Sequence, residues 1–198
     1  MSAHESMEQA EQTNEASSEN RKIALLIAII ALCLALSETL GKGAQTESIA
    51  KNVEAANLWA FFQAKTIRRT VVQTAAEQAN LGLGSVADAQ KAATTKQIDD
   101  WQKTAARYRS EPDTGEGSEQ LSERAKHSEE ERDLATAKYH NFELASGAFQ
   151  IAIVLASATI ITGMMWLAAV SGLLTLAGIF FVGFGLFAPQ ALHALHVI

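Results

Sequence analysis

Residues 144–198 run for 55 positions without one Asp, Glu, Lys or Arg, while all 16 basic and all 22 acidic side chains lie in the first 143 residues. A chain divided in this way is not one uniform globular domain, because the uncharged stretch has no charged face to offer water. As a single helix that stretch would reach about 82 Å, against a hydrocarbon core of about 30 Å, so it must fold back on itself. The turn belongs within residues 163–172 (GMMWLAAVSG), where glycines, a serine and the interface-favouring Trp166 occur together. This predicts one transmembrane helix over residues 146–167 and another over 170–189, stopped by Pro189, with a short tail at 190–198. Gly172, Gly178, Gly183 and Gly185 in the last span, and Ala148, Ala152 and Ala156 in the one before, permit close helix contacts.

A second apolar run, residues 23–36 (IALLIAIIALCLAL), follows Arg21 and Lys22. Ala35-Leu36-Ser37 resembles the small-x-small site of a cleavable signal, but such a signal carries its charge at the extreme N-terminus, and the acidic leader of 20 residues does not fit. The run is therefore read as an anchor over residues 21–41. Uncharged only to Ser37, it would measure about 22 Å, so the helix must continue through Glu38 to a break at Gly41-Lys42-Gly43. Residues 1–20 are polar and acidic with no apolar period, and are expected to be a disordered tail.

Between the anchors, residues 42–145 read as helices interrupted twice. Residues 81–84 (LGLG) end the first, and Ser85 with Asp88 has the form of a capping box opening the second. Residues 110–117 (SEPDTGEG) form a loop, after which Ser118 can cap a third helix that meets no breaker before Gly147 and so runs into its span. The expected class is an all-α integral membrane protein: three transmembrane helices with a long helical extramembrane region between the first and second.

The first middle helix has two apolar sides. At 100° per residue, Val53, Ala56, Ala60, Ala64, Ile67 and Val71 form a stripe of mostly small residues, opposite Leu58, Phe62, Lys65 and Arg69, with Trp59 and Phe61 flanking. The small stripe suits close packing on the second segment (Ile98, Trp101, Ala105, Tyr108) or on a neighbouring subunit. The aromatic and basic side suits either lipid headgroups, with Lys65, Arg68 and Arg69 near phosphates, or a bundle core with snorkelling cations. If the helix stands upright from Gly43, Trp59 lies about 24 Å along it, out of reach of lipid, and its partners are protein. That arrangement is preferred, because the third helix continues straight out of its span.

Residues that could carry chemistry are few. Cys33 is the single cysteine, so neither an intrachain disulfide nor a Cys-rich metal site is available. His193 and His196 are three apart, but no carboxylate or cysteine nearby completes a metal set; they read as interfacial. His127 and His140 lie in a charged helix, and the run Glu129-Glu130-Glu131 reads as an exposed face with helix-spaced ion pairs. No phosphate loop, nucleophile motif or apolar-pocket carboxylate pair is present, and a net charge of −6, dispersed, does not suit nucleic acid. Catalytic residues, cofactors and metals are thus expected to be none. Glu38, a carboxylate at the end of an anchor, is costly against lipid; it either reaches the interface, where it can pair with Lys42 at i+4, or marks an ion path.

The segments Glu38-Thr39-Leu40-Gly41-Lys42-Gly43-Ala44-Gln45-Thr46-Glu47 and Ala55-Ala56-Asn57-Leu58-Trp59-Ala60-Phe61-Phe62-Gln63-Ala64-Lys65-Thr66-Ile67-Arg68 resemble an uncharacterised bacterial membrane-protein family known only as a domain of unknown function. The resemblance implies bacterial origin and membrane residence, and brings no activity. Lys42, Lys51, Lys126, Arg132 and Lys138 near the ends of the middle region, against Arg21 and Lys22 on the tail side, favour a cytoplasmic middle region. The preferred function is an oligomeric scaffold or accessory subunit in the bacterial inner membrane. Its partners would be the lipid bilayer, further copies of itself and a protein held by the middle helices. The alternative is a small channel or transporter subunit with Glu38 near the permeation path.

Overall fold

The computed structural model describes the backbone of residues 3–191 and the side chains of residues 20–191. Among the described residues there are four α-helices and no strand: α1 Ala3–Gly82, α2 Asp88–Arg109, α3 Ser118–Thr162 and α4 Met165–Phe187, with a 3-10 turn at Leu83–Ser85 after α1. Three helical stretches, within Asn20–Ser85, Ser118–Thr162 and Met165–Phe187, are long and apolar enough to cross a membrane. The chain divides into two compact units, one of Met1–Glu47 with Leu134–Ile198, the other of Ser48–Asp133.

The first unit is built on α1, α3 and α4. Its core is Ile30, Ala145, Phe149 and Ala152, with Leu26, Cys33, Leu174, Phe181 and Val182 packed around them. Ser37, Thr159, Ser171 and Thr175 are buried beside this core. Their hydroxyls donate to helix carbonyls, Ser37 to Phe142 O at 3.0 Å and Ser171 to Ala152 O at 2.7 Å, so none of these four is desolvated without a partner. The outward positions are the reverse: Leu25, Ile29, Leu32, Ile151, Val154, Ile161, Leu173, Leu176 and Phe180 are exposed.

Several local expectations change. Residues 3–20 belong to α1, although their polarity suggests a disordered tail. Glu, Gln, Ala and Met are good helix formers, and extending an existing helix avoids the cost of nucleation. The helix also passes Gly41-Lys42-Gly43 without a break. A Cβ at Gly41 would meet Phe142 Cβ at 3.4 Å, so α3 passes this glycine at ordinary contact distance. The hairpin turn falls at Gly163-Met164, where Gly163 takes φ 71, which only glycine adopts freely. Trp166 consequently lies inside α4.

Ser85 does not cap α2. It closes the 3-10 turn, and Ala87 occupies the cap position with no side-chain bond. Ser118 does not cap α3 through its hydroxyl either: that group donates to Arg109 O, tying the start of α3 to the end of α2. The loop between them stays as expected, held by Gln120, whose amide accepts from Glu111 N and donates to Ser110 Oγ. His193 and His196 lie outside the described residues.

Candidate functional site

In the unit Ser48–Asp133, α1 turns its large residues inward. Leu58 packs with Leu121 and Ala125 of α3, and Trp59 and Phe62 close over them. The Trp59 indole N–H donates to Glu129 Oε1 at 2.9 Å, and its ring meets Phe62 edge-on at 5.4 Å. Lys65, only 9% exposed, lies 5.4 Å from the centroid of the Tyr108 ring, with Glu116 at 3.4 Å and Glu111 at 3.9 Å. The cation therefore fastens α1 to the end of α2 and to the following loop. A headgroup role for Lys65 gives way to this one, because a buried ammonium is held where carboxylates and a ring face replace its water. Arg68 is exposed and Arg69 half-buried.

The opposite stripe, Val53, Ala56, Ala60, Ala64, Ile67 and Val71, is exposed throughout, as is Phe61. It does not pack on the second segment. Tyr108 of α2 faces Lys65, while Ile98 and Ala105 are buried. The reason is area: an aromatic or leucine side chain removes more apolar surface from water than an alanine does, so folding within one chain claims the large-residue side first.

The acidic run is more than a solvated face. Glu129 accepts from Trp59, and Glu131 lies 2.8 Å from Lys51. That bond, followed by the one to Glu54, raises the Lys51 pKa, and the same ammonium lowers that of Glu131. His127 lies 3.7 Å from Glu131.

In the other unit, Glu38 and Lys42 line one groove of about 280 Å³ with Gln45, Tyr139, Glu143 and Ser146, floored by Gly41 and Phe142. The expected Glu38–Lys42 pair is not formed; Glu38 Oε1 instead accepts from Gln150 Nε2 at 3.5 Å. Tyr139 donates to Glu143 at 3.2 Å. Nearby, Asn141 donates to Ala137 O and to Pro189 O, securing the residues after α4, while its own carbonyl oxygen is buried without a partner. Sequence reasoning singled out Glu38 but missed Tyr139, Glu143, Ser146 and Gln150. The available signal was the polarity of Ser146 and Gln150 within or beside an apolar run. Among the described residues no group of three or more His, Cys, Asp or Glu side chains could hold a metal ion.

Residues 19–188 match the family model described as Domain of unknown function (DUF4337), and the chain belongs to that family. No curated protein and no solved structure matches it.

Proposed function

We propose that this member of the family is a non-enzymatic integral membrane protein, acting as an oligomeric scaffold or accessory subunit of a membrane complex. In this reading it resides in the bacterial cytoplasmic membrane as a multi-pass protein, with residues 42–145 on the cytoplasmic side. The observation that carries the reading is the arrangement of α1, α3 and α4 in the first unit. Around Ile30 and Phe149 the buried residues there are small or hydroxyl-bearing, while a band of large aliphatic ones, from Leu25 and Leu32 to Leu173 and Leu176, faces outward. That arrangement is costly in water, where the outward leucines and isoleucines would be hydrated, and costs nothing in hydrocarbon.

The scaffold part is supported by the exposed stripe from Val53 to Val71, an apolar surface left over after the large residues of α1 are used within the chain. The groove holding Glu38 and Glu143 favours the alternative, a channel or transporter subunit with Glu38 near its path. Against it, the core around Phe149 is closely packed and contains no acidic or basic side chain, so a path would need several copies to surround it.

The test is purification from the native membrane in mild detergent, with mass measurement and identification of what accompanies the protein. An assembly of several copies, or a partner in fixed ratio, supports the scaffold. Release by carbonate extraction would overturn membrane integration. A 21.2 kDa protomer alone in detergent would overturn the scaffold.

A further inference from the structure

The groove at the end of the apolar runs of α1 and α3 contains charges that do not satisfy one another. Glu38 and Lys42 have the i, i+4 order that favours a helix ion pair, with the carboxylate N-terminal to the amine. Both line the groove, yet Glu38 is held by the Gln150 amide, and among the described residues no carboxylate lies within ion-pairing distance of Lys42. Glu143 adds a second carboxylate, which accepts from the Tyr139 hydroxyl and has His140 Nδ1 at 3.6 Å.

Ser146 supplies an independent observation. It is only 9% exposed, lines the same groove and makes no side-chain hydrogen bond among the described residues. A helical serine usually donates to the carbonyl four residues back, here that of Phe142. That carbonyl already accepts from Ser37 of α1 at 3.0 Å. The Ser146 hydroxyl is thus an uncommitted donor and acceptor lining the same space as the Glu38 and Glu143 carboxylates and the Lys42 ammonium.

We propose that this groove binds a phosphoethanolamine group, the ammonium between Glu38 and Glu143 and the phosphate on Lys42 and the Ser146 hydroxyl. The inference rests on the membrane reading given above. A zwitterion fits because the lining offers both signs without pairing them. A primary ammonium fits better than a quaternary one, since its acceptors are carboxylates, which take N–H donors. Tyr139 alone does not make the aromatic cage that trimethylammonium groups favour.

The lipid is the source, rather than a free solute. The groove lies where residues 23–36 and 144–162 give way to charged positions, the depth of a headgroup. Leu36, Leu40 and Leu144, beside it on the same helices, are exposed and can lie along acyl chains.

The test is native mass spectrometry of the full chain in detergent, after carbonate extraction has confirmed that it is retained in membranes. Phosphatidylethanolamine, phosphatidylcholine and phosphatidylglycerol are supplied in equal amounts. The wild type should retain phosphatidylethanolamine preferentially. Glu38→Gln with Glu143→Gln should remove that preference, and Lys42→Met should weaken retention about tenfold, the loss of one charge-assisted contact. Glu123→Gln, on the other unit, should change nothing. Equal retention of the three lipids by a membrane-retained protein overturns the groove assignment while leaving the membrane reading standing. Displacement of the lipid by O-phosphoethanolamine at a concentration no higher than the lipid's own would overturn the lipid as the source.

Discussion

The ring of Phe149 on α3 lies flat enough on Gly178 of α4 that a Cβ at 178 would stand 2.5 Å from Cε1 and 2.8 Å from Cζ. This contact belongs to one chain, so Gly178 reports on folding of the helical hairpin, not on association between copies. Gly178→Ala should lower stability in detergent by about 1–3 kcal/mol, the cost of overpacking around a ring with nowhere to move. Gly172, on the same helix, has nothing within 4 Å of its would-be Cβ. Gly172→Ala should therefore leave stability unchanged or raise it by up to about 1 kcal/mol, the helix-propensity difference. Thermal unfolding of the two variants side by side checks the contact; equal melting temperatures would contradict it.

The stripe Val53–Ala56–Ala60–Ala64–Ile67–Val71 is the surface on which self-association is expected. Ala60→Arg places a charge at its middle without touching Leu58, Phe62 or Lys65, whose contacts lie on the other side of α1. The detergent-corrected mass should fall from several protomers to one, while the circular dichroism spectrum stays helical. Unchanged mass in this variant would move the interface elsewhere.

Acid should weaken one cross-helix contact in a defined direction. Glu131, its pKa lowered by Lys51, contributes stability present above its ordinary value of 4.5 and lost as pH falls through the lower folded value. Lys51, raised by Glu131 and then Glu54, contributes stability present below 10.5 and lost as pH rises through its higher folded value. Lys51→Met should therefore melt earlier than wild type near neutral pH, and the gap should close in strong acid and in strong base. Both side chains are partly exposed, so the gap should also shrink as salt is added. A gap that persists under acid would mean that the pair is not its source.

The side of the membrane occupied by residues 42–145 can be read from one loop position. Ser110 is held by Gln120, whereas Asp113 is exposed, which makes Asp113→Cys the better probe once Cys33→Ala has removed the native thiol. A membrane-impermeant thiol reagent should label it only after the cells are opened. Labelling in intact cells would reverse the proposed orientation.

Three long helices of membrane-spanning composition, the loop at residues 110–117 and the unbroken run of α3 out of Ser118 were all determined by the sequence alone. Apolar run length, proline and glycine act locally, and no partner has to be known to read them. The two apolar sides of α1 were likewise visible at 100° per residue. Which side would be covered was not, because periodicity weighs Ala60 and Phe62 alike, whereas packing rewards the area each removes from solvent. Tertiary structure made that choice, giving Leu58, Phe62 and Lys65 partners from α2, α3 and the loop between them. It also decided between pairing Glu38 with Lys42 along the helix and bonding it to Gln150, 112 residues away in the chain. Local spacing shows that the first pair can form; it carries no information on a competing donor brought in by another helix. The same holds for Gly41, a helix breaker by propensity, which stays within α1 where Phe142 of α3 packs beside it.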